Sequence, residues 1–268
     1  MGFRELFIYV SAAVFAGALT AWTMKPKSVV IPPTTQNLQV QIAPPSADDL
    51  PAPRPPKPPL PARLAAAGFE LGDPAFVRII KNEAVLEVWL KRGAAYEKFD
   101  TFPICYFSGA LGPKQREGDH QSPEGFYEVS ARQLNPNSAY HLAFNLGYPN
   151  ALDRSLKRTG SALMVHGNCM SIGCYAMTDY GITEIYALVS GALSHGQRSV
   201  PVHIFPFRMT DEAMARAAGH DALAFWMNLK EGYDAFEASH VPPAVFACNG
   251  RYAFGAPSDA ACDRVTAW

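Results

Sequence analysis

Apolar and polar residues alternate over Phe76–Lys81 (FVRIIK) and Ala84–Lys91 (AVLEVWLK), with Asn82-Glu83 between them. A period of two sends successive side chains to opposite faces of a strand, so the pair predicts a β-hairpin. Phe99–Phe107 (FDTFPICYF) predicts a third strand. Pro103 has no N–H for a ladder and places that strand at an edge or a bulge. Ser108–Glu124, rich in Gly, Pro and charge, reads as a long loop. The strand pattern returns at Gly125–Ser130, His141–Leu146, Ala162–His166 and Val200–Pro206. At Asp179–Val189 the period changes: residues 182, 185, 186 and 189 form a helical stripe. Asp211–Ala218 and Ala222–Gly232 predict two further helices, the first opened by acidic residues. Strands fill the first two thirds and helices gather late. The fold class expected is mainly β with peripheral helices, an α+β domain.

The chain ahead of this pattern is different in kind. Leu6–Met24 is a 19-residue stretch without charge, and about 20 apolar residues span a bilayer. It is either an uncleaved anchor or a signal peptide with Leu6–Phe15 as apolar core and Ala16-Gly17-Ala18 as cleavage site. Arg4 before it and Lys25 and Lys27 after it leave the positive-inside comparison close. Both readings export the rest of the chain to the periplasm, with the inner membrane as the site of an anchor. Pro26–Arg63 holds twelve prolines. It cannot build a core and reads as an extended polyproline spacer, or as a docking segment for a proline-recognising partner. The division expected is 1–25 anchor or signal peptide, 26–63 linker and 64–268 folded domain.

Charge and cysteine narrow the classes. With 23 basic and 24 acidic residues there is no basic excess, which argues against nucleic-acid binding. Five cysteines is an odd number, and there is no CxxC pair, which argues against a structural metal site. In an oxidising compartment Cys248 and Cys262, flanking an irregular C-terminal stretch, are expected to pair. Cys105, in mid-strand, is expected to be buried and inert. Cys169 is either a turn residue or a redox partner of Cys174. A zinc set of His166, Cys169 and Cys174 would need His195 or His203 as fourth ligand and is disfavoured. His120, His141, His220 and His240 read as surface or structural.

Candidate chemistry lies in Ser161–Asp179 (SALMVHGNCMSIGCYAMTD). An apolar strand ends at His166-Gly167, a polar turn leads to Ser171-Ile172-Gly173-Cys174, and a helix is expected soon after. A helix N-terminus would favour the thiolate. Backbone N–H groups at Gly173 and Cys174 would face a developing oxyanion. An imidazole within reach of a thiol is what an activated cysteine nucleophile requires.

These residues carry a resemblance. VHG…SxGCYAMTD followed by ITEIYALV resembles the YkuD-like L,D-transpeptidase catalytic domain, and most of all its YafK-type subgroup. LGPKQREGDHQSPEGFYEV (111–129), FNLGYPNALDR (144–154) and FWMNLKEGYDAFE (225–237) agree with it. The turn between HG and SxGC is shorter than in the wider family, and Ile172 stands where His is common; the spacing suits the subgroup. The resemblance implies a YkuD-like β-sandwich with Cys174 as nucleophile and His166 as base. It implies that the Gly167 carbonyl orients the imidazole, Ser171 braces the turn, and Gly173 with Cys174 supplies oxyanion donors. It implies no cofactor and no metal. The implied substrate is a peptidoglycan stem peptide. An amine acceptor gives a 3–3 cross-link or attachment of an outer-membrane lipoprotein, and water gives hydrolysis. A non-catalytic wall-binding module is the alternative of another class.

Anionic stems call for a fixed guanidinium, and Arg154 is the candidate for substrate binding. Lys114, Arg116 and Arg132 read as solvated charges. Tyr127, Tyr140 and Tyr148 are read as core rather than cleft, and Asp179 as a cap of the following helix.

Overall fold

The structure, a computed structural model, describes residues 57–256 and 262–268; the apolar stretch 6–24 and the linker as far as residue 56 lie outside the described residues. Among the described residues no helix is long and apolar enough to cross a membrane.

The hairpin forms where the alternation places it, as β1 (Ala75–Ile80) and β2 (Val85–Arg92). β3 (Ala95–Pro103) continues from β2 as an edge strand, while β5 (Gly125–Val129) and β10 (Val200–Phe205) complete a five-stranded sheet in the order β3-β2-β1-β10-β5. Only β1 and β10 run parallel in it. β1 is buried at every position because both faces are covered. Ala75, Val77 and Ile79 enter the main core; Phe76 packs on Trp89 and Phe236 on the other face. Arg78 on that second face is buried because Glu87 (2.8 Å) and Glu237 pair with it.

The predicted strand 99–107 is two strands in two sheets. β3 stops at Pro103. The N–H of Ile104 then donates to Ala84 (2.7 Å) and that of Cys105 to Ala176 (2.8 Å), so the chain changes sheets there. β4 (Tyr106–Phe107) joins β6 (Leu134–Ser138), β7 (His141–Asn145), β8 (Met164–His166) and β9 (Tyr175–Ala176) in the order β4-β9-β8-β7-β6. β6 (LNPNS) has no apolar alternation and is a strand through its pairing with β7.

Helix α3 (Thr178–Ser194) contacts both sheets, and its Ile182, Ile185, Leu188 and Val189 share one core with Val77, Val165, Tyr175 and Val202. It runs past the predicted end at Val189. α5 (Leu223–Ser239) likewise outruns its prediction and covers the outer face of the first sheet through Trp226, Tyr233 and Phe236. α1 (Leu60–Ala67) begins inside the stretch read as linker. It is closed by Gly68 at φ 70°, and Arg63 pairs it to Asp100 and Glu184. α2 (Ala151–Ser155) and α4 (Asp211–Arg216) are short. The C-terminal stretch read as irregular is a small sheet of β11 (Val245–Cys248), β12 (Arg251–Phe254) and β13 (Asp263–Arg264). Asn249 (φ 51°) and Gly250 (φ 77°) make its hairpin turn, an Asn-Gly signal present in the sequence.

Candidate active site

β8 and β9 lie side by side and parallel, with Val165 opposite Tyr175 and His166 opposite Ala176. Val165 and Tyr175 are fully buried in the core. Strand alternation therefore turns Met164 and His166 to the other face. Cys174 stands one residue ahead of β9, so the thiol lies on the segment that runs beside the strand carrying the imidazole. Among the described residues no hydrogen bond joins them; such contacts are often long in a resting site.

Cys174 is half-buried and is the one free thiol of the five cysteines. Cys248 and Cys262 are bonded, as expected. Cys105 and Cys169 are also bonded to each other. This corrects the inert Cys105, and it removes Cys169 both as a redox partner of Cys174 in this state and as a zinc ligand.

The turn from Asn168 to Cys174 is held at many points. Asp179 Oδ1 accepts the Asn168 N–H (2.8 Å), so this carboxylate braces the turn and does not cap α3. Gly173 sits at φ 104°, open to few L residues, and a Cβ there would lie 3.1 Å from Leu163. Ser171 Oγ accepts the Cys174 N–H (2.7 Å) and donates to the Cys174 carbonyl (2.8 Å). Ser122 Oγ donates to the same carbonyl (2.8 Å), and Ser108 Oγ accepts the Gly173 N–H. The N–H groups of Gly173 and Cys174, expected as oxyanion donors, are thus both committed to serine hydroxyls. The sulfur instead receives the Met164 N–H at 3.3 Å and donates to the Ala162 carbonyl at 3.6 Å.

His166 is 3% exposed and stacks on Tyr140, with ring centroids 4.8 Å apart. Its Nδ1 lies 2.6 Å from the Gly167 carbonyl. A carbonyl only accepts, so Nδ1 carries the proton and Nε2 keeps the lone pair. Gly167 has no room for a side chain, since a Cβ would meet Asp179 Oδ1 and the Tyr140 carbonyl at 2.6 Å.

Burial pushes the Cys174 thiol up; the Met164 N–H and the Lys114 cation oppose it without cancelling it. Burial pulls His166 down, against its bond to the Gly167 carbonyl. Both shifts favour the uncharged forms. The expected helix N-terminus does not reach the thiol, because β9 stands between Cys174 and the start of α3 at Thr178.

The cation near the sulfur is Lys114, read from sequence as solvated but 3% exposed here. It donates to the Arg116 carbonyl (2.9 Å) and pairs with Asp119. Burial raises the Asp119 carboxyl, but bonds from Arg116, Lys114, Gln115 and Gln121 outweigh it and hold it below its ordinary value. The acid five residues after Lys114 is the signal that was available. The loop carrying both is fastened at its neck. Ser108 N–H donates to Ser122 Oγ (3.1 Å) and Ser122 N–H to the Ser108 carbonyl (2.9 Å). Beneath it the fully buried Lys81 donates to the carbonyls of Ala110 (2.8 Å) and Ser122 (3.0 Å) and pairs with Glu124 (3.0 Å).

Arg154 is not brought to this turn. It is exposed on α2, which packs on β11, and donates to the Pro149 carbonyl (2.7 Å). Arg116 and Arg132 are exposed, and Tyr127 and Tyr148 are core residues. Tyr140, placed with them in the core, is 40% exposed and covers the imidazole.

Two sheets packed on α3, with a free thiol and an imidazole on neighbouring segments, define a mainly β domain with a candidate cysteine site. Residues 75–204 match the family model described as the L,D-transpeptidase catalytic domain, YkuD. The chain is 51% identical over 187 residues to the Escherichia coli (strain K12) protein named "Putative L,D-transpeptidase YafK". The match covers 70% of this chain and 76% of that one. The chain belongs to the L,D-transpeptidase catalytic domain family. Among solved structures it is similar to the helical cell shape determining protein Pgp2 from Campylobacter jejuni, with 22% identity and a TM-score of 0.41. That match covers 64% of this chain and 63% of that one, less than two thirds of its length. It is also similar to Bd1075 of Bdellovibrio bacteriovorus, with 16% identity and a TM-score of 0.38, over 72% of this chain and 91% of that one.

Proposed function

We propose that this chain is a cysteine-dependent L,D-transpeptidase acting on peptidoglycan stem peptides in the periplasm, held at the inner membrane by residues 6–24 or released after their cleavage. The observation that carries the reading is the free thiol of Cys174 just ahead of β9, beside the strand that carries an imidazole whose Nδ1 is tied to the Gly167 carbonyl.

In this reading His166 Nε2 takes the Cys174 proton. The sulfur attacks the carbonyl carbon of the third stem residue, a diamino acid such as meso-diaminopimelate. A C–S bond forms and the carbonyl pair moves to oxygen. Collapse breaks the C–N bond to D-Ala, whose nitrogen takes the proton back from His166 and leaves a thioester. An amine acceptor then loses a proton to His166 and displaces the sulfur, giving a 3–3 cross-link or a lipoprotein attachment. Water in the same position gives hydrolysis.

The test is incubation with digested muropeptides and mass spectrometry of the products. New dimers mean transfer, loss of D-Ala or of cross-links means hydrolysis, and an unchanged digest overturns both. A carbapenem is expected to add its mass to the wild type and not to Cys174→Ala; an adduct retained in that variant moves the nucleophile elsewhere.

A further inference from the structure

Backbone N–H groups along a strand point alternately to its two sides. The Leu163 carbonyl faces β7, where it accepts the Leu146 N–H at 2.9 Å. The next residue, Met164, therefore turns its N–H toward β9. The parallel pairing with β9 begins one residue later, at Val165 and Tyr175. At Met164 no β9 carbonyl takes the donor, and Cys174 Sγ stands there at 3.3 Å. The N–H groups of Gly173 and Cys174 are meanwhile bound to Ser108 and Ser171.

We propose that the Met164 backbone N–H, left over where the β8–β9 ladder ends, is the anion donor of the site, holding first the thiolate and then the oxyanion of the tetrahedral intermediate. This rests on Cys174 being the nucleophile of the proposed reaction. The donor already touches the reacting atom. Attack makes the C–S bond and moves the carbonyl pair to an oxygen two bonds beyond the sulfur. That places the oxygen within reach of the same N–H, close to the roughly 3 Å an oxyanion donor needs. The ladder itself holds the donor in position, so no reorganisation is required during reaction. The Lys114 cation adds charge without direction, and its influence on the thiol is already downward.

Two measurements test it. In the full chain, Met164 is replaced by its α-hydroxy acid analogue, which turns the amide into an ester, removes the N–H and keeps the side chain. The alkylation profile of Cys174 with iodoacetamide is expected to move to higher pH, and carbapenem acylation to slow about 100-fold, the usual loss for one oxyanion donor. An ester variant with the wild-type profile and rate overturns the proposal. In the unmodified protein, the Met164 amide proton is followed by NMR as Cys174 ionises. It is expected to titrate in step with the thiol, and an amide that stays flat overturns the proposal even if the ester variant fails to fold. Iodoacetamide and the amide signal report on the sulfur whatever the natural substrate is. A protein inert to muropeptides whose amide still titrates sinks the peptidoglycan reading and keeps the donor.

Discussion

Burial acts on Cys174 and His166 in opposite directions, raising the thiol and lowering the imidazole, and both shifts favour the uncharged forms. In the proposed reaction the thiolate is made by proton transfer to Nε2 as substrate enters and excludes water. Alkylation of Cys174 by iodoacetamide is accordingly expected to climb with pH and level off only above the ordinary thiol range. A plateau below pH 7 would mean a preformed ion pair. His166→Gln should slow carbapenem acylation at neutral pH by at least about 100-fold, as loss of a general base does. It should leave alkylation at high pH almost unchanged, because hydroxide then removes the proton. The thiol and the imidazole were singled out in the sequence by their place on a Gly-punctuated turn, and the structure leaves Cys174 as the free thiol. The burial of Lys114 was not legible, because Asp119 five residues on offers a partner in the sequence while the chain that covers the ion pair comes only with the fold.

At the scale of elements, the turn before Cys174 is a short segment pinned from outside. Lys81, Glu124 and the two neck serines hold it from one side, and the Cys105–Cys169 bond from the other. Burial lowers the Lys81 pKa and the Glu124 charge opposes this. Lys81→Met would leave Glu124 with no cation at 0% exposure and is expected to cost about 3–5 kcal/mol in urea unfolding. Lys81→Met combined with Glu124→Gln should recover part of it. The disulfide spans 64 residues, a loop whose closure contributes about 4 kcal/mol in the chain-entropy account. A chain with both Cys105→Ser and Cys169→Ser is expected to melt earlier and to acylate more slowly; equal acylation by the two proteins would confine the bond to a stabilising role. The strands of the hairpin and β10 were legible because alternation is a local property. β6 and the split of 99–107 into β3 and β4 were not, because each depends on which neighbour accepts the backbone N–H.

The whole molecule carries a second buried imidazole with no part in the site. His203 lies between the rings of Phe76 and Phe126, each 4.7 Å away, and its Nδ1 has no partner among the described residues. Burial, with Arg78 adding to it, pushes its pKa down to about 3. Above the unfolded value of about 6.5 it costs nothing. As pH falls from there toward 3, the unfolded chain binds a proton that the folded chain refuses, and stability drops by on the order of 1 kcal/mol per pH unit. Urea melts between pH 6.5 and 4 should show a shallower acid loss in His203→Phe than in wild type; parallel slopes would assign the acid sensitivity to other groups.

By itself the sequence determined the periodicities, and so most strands and helices, along with the candidate pair and the turn between its members. These follow from neighbours along the chain, and so does the family resemblance. The tertiary structure alone decided which cysteines were already spent, which lysines lost their water, and which N–H groups remained to meet the sulfur. Pairing, desolvation and ladder ends are relations between segments far apart in the chain, and no local pattern encodes them.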